Sequence, residues 1–318
     1  MSTEDGPGLR TTVFFKGCTL ACAWCHNPES IPADAQVIRY EQRCIGCGTC
    51  VSVCPEGAIT DVNLPVNATR CVACGRCVEA CPGGALDLLG TEWTLDALVA
   101  EVLKDRAFFA KSGGGVTISG GEPSMQARFV EAFMKRLREE DIHVALDTCG
   151  MCATGVLLPL IDQASLVLYD LKVMDSLEHE RLTKQPNERI LLNLRAVAAR
   201  LRERRTGDGG DGAPGALWIR TPLVPDATAT DANLRAIGAF IREALGDLVT
   251  RWELCAFNNL CRSQYLRLGL DWAFAKHDLL RAEDLEHFAE IARRASADPR
   301  IVFATGATTS TPSAENET

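Results

Sequence analysis

The chain has 318 residues, 47% of them hydrophobic and only 6% aromatic, enough for one full-sized core plus a small module. Its net charge of −9, with no basic run, excludes a phosphate-neutralising surface and so a nucleic-acid partner. No apolar run approaches the about 20 residues that span a bilayer, and Met1-Ser2-Thr3-Glu4-Asp5 lacks the basic start and apolar stretch of a signal peptide.

A cytoplasmic protein with no membrane contact is therefore expected. In that reducing setting fifteen cysteines bind metal more often than they pair as disulfides.

In chain order, a strand-like run from Leu9 to Phe15 leads into Cys18, Cys22 and Cys25, a Cys-x3-Cys-x2-Cys spacing. Three thiolates on one short loop can hold three irons of a [4Fe–4S] cube and leave the fourth open, and an open position separates a catalytic metal centre from a closed one. A zinc site or a plain electron-transfer cluster is the alternative, although His26 follows Cys25 too closely to complete a tetrahedron easily.

Residues 38–90 repeat internally. Cys44, Cys47, Cys50 and Cys54 recur as Cys71, Cys74, Cys77 and Cys81, each twenty-seven residues on, and Pro follows the last cysteine of both halves. Such a duplicated Cys-x2-Cys-x2-Cys-x3-Cys-Pro run is the bacterial ferredoxin pattern for two [4Fe–4S] clusters, in which the fourth cysteine of each half serves the other cluster. Cys44, Cys47, Cys50 and Cys81 are thus expected on one cube, and Cys71, Cys74, Cys77 and Cys54 on the second. Two zinc ribbons are the competing reading, and a structural role competes with electron relay.

The remainder alternates β-rich runs with amphipathic stretches, the pattern of a parallel α/β domain. Strands are predicted near Gly115–Ser119, His143–Thr148, Leu166–Asp170, Leu217–Pro222 and Arg251–Cys255. Helices are predicted near 94–110, 125–139, 176–184, 189–205, 231–246 and 282–295. With the opening strand these make about six strand–helix units, enough for a partly closed barrel. A loop is expected from Gly207 to Gly215, and a disordered tail near the C-terminus. Gly120-Gly121-Glu122, Asp147-Thr148-Cys149-Gly150 and Asp170-Leu171-Lys172 all end predicted strands, where barrel sites form. Cys149, Cys152, Cys255 and Cys261 match no ligand spacing and are expected in packing roles.

The segment Cys18-Thr19-Leu20-Ala21-Cys22-Ala23-Trp24-Cys25 resembles the radical S-adenosylmethionine superfamily. Asp5-Gly6-Pro7-Gly8-Leu9-Arg10 and Trp24-Cys25-His26-Asn27-Pro28-Glu29 resemble, more narrowly, the activating enzymes of glycyl-radical enzymes. The resemblance runs to about residue 275. It implies an α/β fold, a partial (β/α)6 barrel split as 1–37, 91–305 and a tail at 306–318, with the two-cluster ferredoxin-like module inserted at 38–90. It also implies three [4Fe–4S] clusters, S-adenosylmethionine and a nearby monovalent cation.

By the same resemblance Trp24 and His26 lie beside the cosubstrate, and Gly120, Gly121 and Glu122 meet its methionyl amino group. Lys172 pairs with its carboxylate, while Asp147, Thr148 and Asp170 arrange the ribose and the cation. Asn258 stands where many relatives carry a histidine. The implied activity is reductive cleavage of S-adenosylmethionine and abstraction of a glycine Cα hydrogen on a partner enzyme. A flavodoxin or ferredoxin-type reductant supplies electrons, and the partner's glycine loop enters near Asp5-Gly6-Pro7-Gly8. Two other readings stay open: a radical enzyme acting on a small molecule or another peptide, and a ferredoxin-like carrier or cluster sensor. Met1 lies almost against Asp5, where relatives carry a short preceding segment, so a misassigned start or a trimmed first strand is expected.

Overall fold

The computed structural model describes residues 1–206 and 215–309. In chain order the elements are β1 (Arg10–Phe15), β2 (Gln36–Arg39), α1 (Thr49–Val53), α2 (Arg76–Glu79), β3 (Leu86–Leu89), α3 (Leu95–Leu103), α4 (Arg106–Ser112), β4 (Gly115–Gly120), α5 (Ala127–Glu139), β5 (His143–Thr148), α6 (Thr154–Gln163), β6 (Leu166–Asp170), α7 (Ser176–Thr183), α8 (Glu188–Thr206), β7 (Ala216–Leu223), α9 (Asp231–Phe240), β8 (Val249–Ala256), α10 (Arg262–Leu268), α11 (Ala282–Ala295) and β9 (Val302–Thr305).

Seven strands form one sheet in the order β1-β4-β5-β6-β7-β8-β9, and every pairing is parallel. The order follows the chain and never reverses, so each crossover adds a strand at the same edge. Alternation along the strands separates two faces. Val116, Ile118, Val144, Leu146, Val167, Ile219 and Leu254 join Phe133, Leu137, Leu157, Leu194 and Ile237 of the helices in the main core. Ala145, Leu166, Leu168 and Trp218 form a small cluster of their own. The Arg251 guanidinium lies 4.7 Å over the Trp218 ring and 4.3 Å over Phe303, a cation stacked between aromatic faces.

All six expected strands are present, and a seventh, β9, is added. α6 and α10 were not anticipated. The Pro159 ring inside α6 reads as a breaker in sequence, yet the backbone tolerates it here among buried Leu157, Leu160 and Ile161. The stretch predicted over 94–110 divides at Lys104–Asp105 into α3 and α4. β1 pairs with β4 at all six of its positions, and Ser2 forms a bridge to Arg10.

Residues 306–309, expected as the start of a tail, belong to the fold: Gly306 and Ala307 line the cavity that Cys18, Cys22 and Cys25 share, and the Thr309 amide donates to the Leu280 carbonyl at 3.0 Å. The loop expected over Gly207–Gly215 falls, apart from Gly215, outside the described residues, as do 310–318. Among the described residues no helix is long and apolar enough to cross a membrane.

Candidate active site

Parallel strands deliver all their C-terminal ends to one rim, and the candidate residues sit there. The chain leaves β1 through Gly17, at φ +98°, a conformation that favours glycine. It then runs through Cys18, Cys22 and Cys25. Backbone bonds fix this loop: Gly17 and Cys18 amides donate to Ser30 and Ile31, both at 2.9 Å, while Ala21 and Ala23 donate to Thr183 and Leu182 at the end of α7. The β4 terminus packs hard against it, since a Cβ on Gly120 would come within 2.2 Å of the Phe15 backbone, and one on Gly121 within 2.2 Å of the Gly17 carbonyl. These glycines let the loop approach the sheet.

The three thiols are pushed up by burial, Cys18 to about 11 and Cys25 to about 12, with neighbouring thiols adding to the effect; Cys22 moves the same way. Among the described residues no three His, Cys, Asp or Glu side chains converge to hold a single metal ion. A cube asks for a different arrangement, with each thiolate on its own iron. Three partly buried thiols that repel one another as thiolates fit a cationic cluster that would take them deprotonated.

The triad opens on a cavity of about 510 Å³ whose walls include Trp24, His26, Gly120, Gly121, Asp147, Thr148, Asp170, Lys172 and Asn258. Twelve of the thirteen residues expected at the catalytic site therefore share one space. The thirteenth, Glu122, does not line it. Its carboxylate is fully buried and accepts from the Thr148 hydroxyl at 2.8 Å, the Cys149 amide at 2.8 Å and the Ser124 amide at 3.1 Å. Glu122 thus ties the end of β4 to the end of β5.

Lys172 donates to Asp170 at 2.5 Å. Burial opposes the ammonium, but Asp170 and the Cys22 thiol outweigh it, so the Lys172 pKa is raised and the group stays charged. Burial lowers His26, which favours its neutral form. Burial also raises Asp147 to about 6, although the Arg220 guanidinium opposes this. Ser119 donates to one Asp147 oxygen at 2.7 Å, and the other oxygen is buried without a hydrogen-bond partner among the described residues. Such an orphan is costly unless a ligand completes it.

Arg220 was missed in the sequence. Its guanidinium lies 3.3 Å from Asp147, 3.4 Å from Glu253 and 3.9 Å from Asp5, and so links three strands and the N-terminal Asp-Gly-Pro-Gly segment. The available signal was a charge facing the same side as Trp218 in an otherwise apolar strand. Arg10, also missed, is fully buried. It donates to Thr117 at 2.6 Å and the Val116 carbonyl at 2.7 Å. Cys149 and Cys255 line the cavity as well, whereas Cys261 packs with Trp24, Phe257 and Trp272.

The inserted stretch forms a two-stranded antiparallel sheet, β2 with β3, around two short helices. Gly48 and Gly75 precede α1 and α2 at nearly the same positive φ, 74° and 75°, so the sequence repeat is also a conformational one. Cys44, Cys47, Cys50 and Cys81 surround one hollow; Cys54, Cys71, Cys74 and Cys77 surround another. Each hollow is lined by three cysteines of one half and one of the other.

Known proteins resemble the chain along most of its length. The family model described as "4Fe-4S single cluster domain" matches residues 4–193. The chain is 34% identical over 298 residues to the pyruvate formate-lyase 2-activating enzyme of Escherichia coli (strain K12), covering 92% of this chain and 87% of that one. It is 41% identical over 236 residues to the trans-4-hydroxy-L-proline dehydratase activating enzyme of Clostridioides difficile, covering 73% and 74%. It is 36% identical over 271 residues to the isethionate sulfite-lyase activating enzyme of Nitratidesulfovibrio vulgaris, covering 83% of each. Among solved structures, Streptococcus suis SuiB bound to S-adenosylmethionine aligns with a TM-score of 0.53 at 10% identity, over 94% of this chain and 51% of that one, a likeness of fold.

Proposed function

The chain belongs to the activating enzymes of glycyl-radical enzymes, and from that premise we propose how its residues share the work. As a member it is a radical S-adenosylmethionine oxidoreductase that uses a [4Fe–4S] cluster and installs a glycyl radical on a partner enzyme. Bound cluster and cosubstrate supply a 5′-deoxyadenosyl radical able to take hydrogen from a glycine Cα, chemistry beyond any side chain.

Cys18, Cys22 and Cys25 would hold the cluster, and three thiolates on a four-iron cube would leave one position for S-adenosylmethionine. Lys172, kept cationic by Asp170, pairs with its methionyl carboxylate. Gly120 and Gly121 present bare backbone to the amino group, while Glu122 positions Thr148 and the Cys149 amide rather than reaching the ligand itself. Trp24, neutral His26 and the Asn258 amide flank the adenine. Asp147, Thr148 and Asp170 receive the ribose and a cation. The orphaned Asp147 oxygen supports that role.

The sheet is read as a partly closed barrel, because its order never reverses. The partner's glycine loop closes the mouth near Asp5-Gly6-Pro7-Gly8 and excludes water. Each four-thiol set of the insertion would hold a further [4Fe–4S] cube, which would supply a route for electrons from a flavodoxin or ferredoxin-type reductant.

The observation that carries this reading is the convergence of the triad with both strand-end charge pairs on one cavity. The test is anaerobic incubation of the reduced, reconstituted protein with S-adenosylmethionine. Methionine and 5′-deoxyadenosine are expected, and a radical signal by electron paramagnetic resonance (EPR) on an added glycyl-radical partner. Absence of cleavage by a fully iron-loaded protein rejects the reading.

A further inference from the structure

The Tyr265 hydroxyl, on α10, donates to the Cys25 carbonyl oxygen at 3.0 Å, across 240 residues of sequence. Its ring is buried and stacks on Trp272 with centroids 5.4 Å apart, in the same cluster as Trp24. The Cys25 sulfur in turn takes a hydrogen bond from the Asn27 amide, and the Cys25 amide donates to the Cys22 carbonyl at 3.0 Å. A donor on the Cys25 carbonyl therefore fixes the Cys25–His26 peptide, and with it the aim of the next amide at the sulfur. Hydrogen bonds to cluster sulfurs are among the levers that set a reduction potential.

α10 also reaches the insertion. It packs against β2, its Arg267 guanidinium lies 4.8 Å over the Tyr40 ring, and Gly269 at its end abuts Pro65. Tyr40 lies four residues before Cys44.

We propose that Tyr265 is a positioning residue for the triad, and that α10 is the strut by which the eight-cysteine insertion is held in register with Cys25. This rests on the reading of the triad as a cluster site. Tyr265 touches no reacting atom; it acts through the Cys25 peptide. Removing the donor leaves more electron density on the sulfur and makes the cluster harder to reduce, while strengthening the donor does the reverse.

The test is a redox titration of the holoenzyme, followed by the EPR signal that changes on adding S-adenosylmethionine, which marks the triad cluster. Tyr265→Phe keeps the ring packing. It is expected to lower the potential of that signal by a few-fold to tenfold in the reduction equilibrium, tenfold being 59 mV for one electron. Tyr265→3-fluorotyrosine, a stronger donor, is expected to raise it. Unchanged potentials in both variants, or shifts of the same sign, overturn the proposal. If the wild-type protein gives no signal responsive to S-adenosylmethionine, the cluster reading itself has failed instead. A purely structural role would lower thermal stability without moving the two potentials in opposite directions.

Discussion

Cys18, Cys22 and Cys25 share a cavity of about 510 Å³ with charged strand ends, whereas the two four-cysteine sets enclose hollows of about 20 and 10 Å³ with apolar neighbours such as Ile45, Leu86, Val37 and Ile59. The electrostatics overlap more than the volumes do. Burial raises all three triad thiols and also Cys50 and Cys77 of the insertion. Against this, the Thr49 hydroxyl lowers Cys47, and Cys54 is lowered because backbone amides outweigh its desolvation. Three thiols beside a large space leave room for a ligand. Four thiols around a small one close on themselves.

Replacing Cys18, Cys22 and Cys25 by alanine is the harshest test of that contrast. Iron analysis is expected to show a loss of about four atoms per chain, with no detectable 5′-deoxyadenosine by chromatography. Full turnover by that variant breaks the contrast. Disrupting the insertion through Cys54→Ala and Cys77→Ala together is expected to remove one cube, again about four irons, and to spare single turnover with a strong artificial reductant. Pairing Cys54→Ala with Cys50→Ala is expected to remove both cubes, because the two residues border different hollows. Equal iron losses from the two pairs would refute the crossed assignment.

A smaller effect is expected at Glu122→Gln. Loss of the carboxylate that accepts from Thr148 and Cys149 costs about 1–3 kcal/mol locally, and calorimetry is expected to show roughly tenfold weaker S-adenosylmethionine binding with iron content unchanged. Wild-type affinity would remove Glu122 from the site altogether.

Asp147 gives the mildest signature. Its folded pKa, raised by burial to about 6, lies above that of the unfolded chain. Its stabilising contribution is therefore present at low pH and lost as pH rises through about 6. Thermal unfolding between pH 5 and 7.5 is expected to fall more steeply for the wild type than for Asp147→Asn. Parallel profiles would show that Arg220 has already compensated the charge.

Much of this arrangement was legible in sequence because its cysteines cluster: the triad spans eight residues, and the repeat declares two four-cysteine runs. Strand ends were legible because charges such as Asp170 and Lys172 follow apolar runs. Arg220 and Tyr265 were not, since each is defined by partners far along the chain, Asp5 and Asp147 for one and Cys25 for the other. Glu122 was placed near Gly120 and Gly121, but its bonds to Thr148 and Cys149 were not legible, because spacing does not say which way a carboxylate turns. α6 and β9 escaped for local reasons, an internal proline in one and only four residues in the other.

The most direct test concerns the iron position proposed to stay open at the triad. Reduced protein should be mixed with S-adenosylmethionine carrying ¹⁵N in its amino group, and the hyperfine coupling to the triad cluster measured by electron–nuclear double resonance. A ¹⁵N coupling that disappears with unlabelled cosubstrate is the expected result. Coupling to a protein nitrogen such as that of His26, with none from the label, would contradict an open triad.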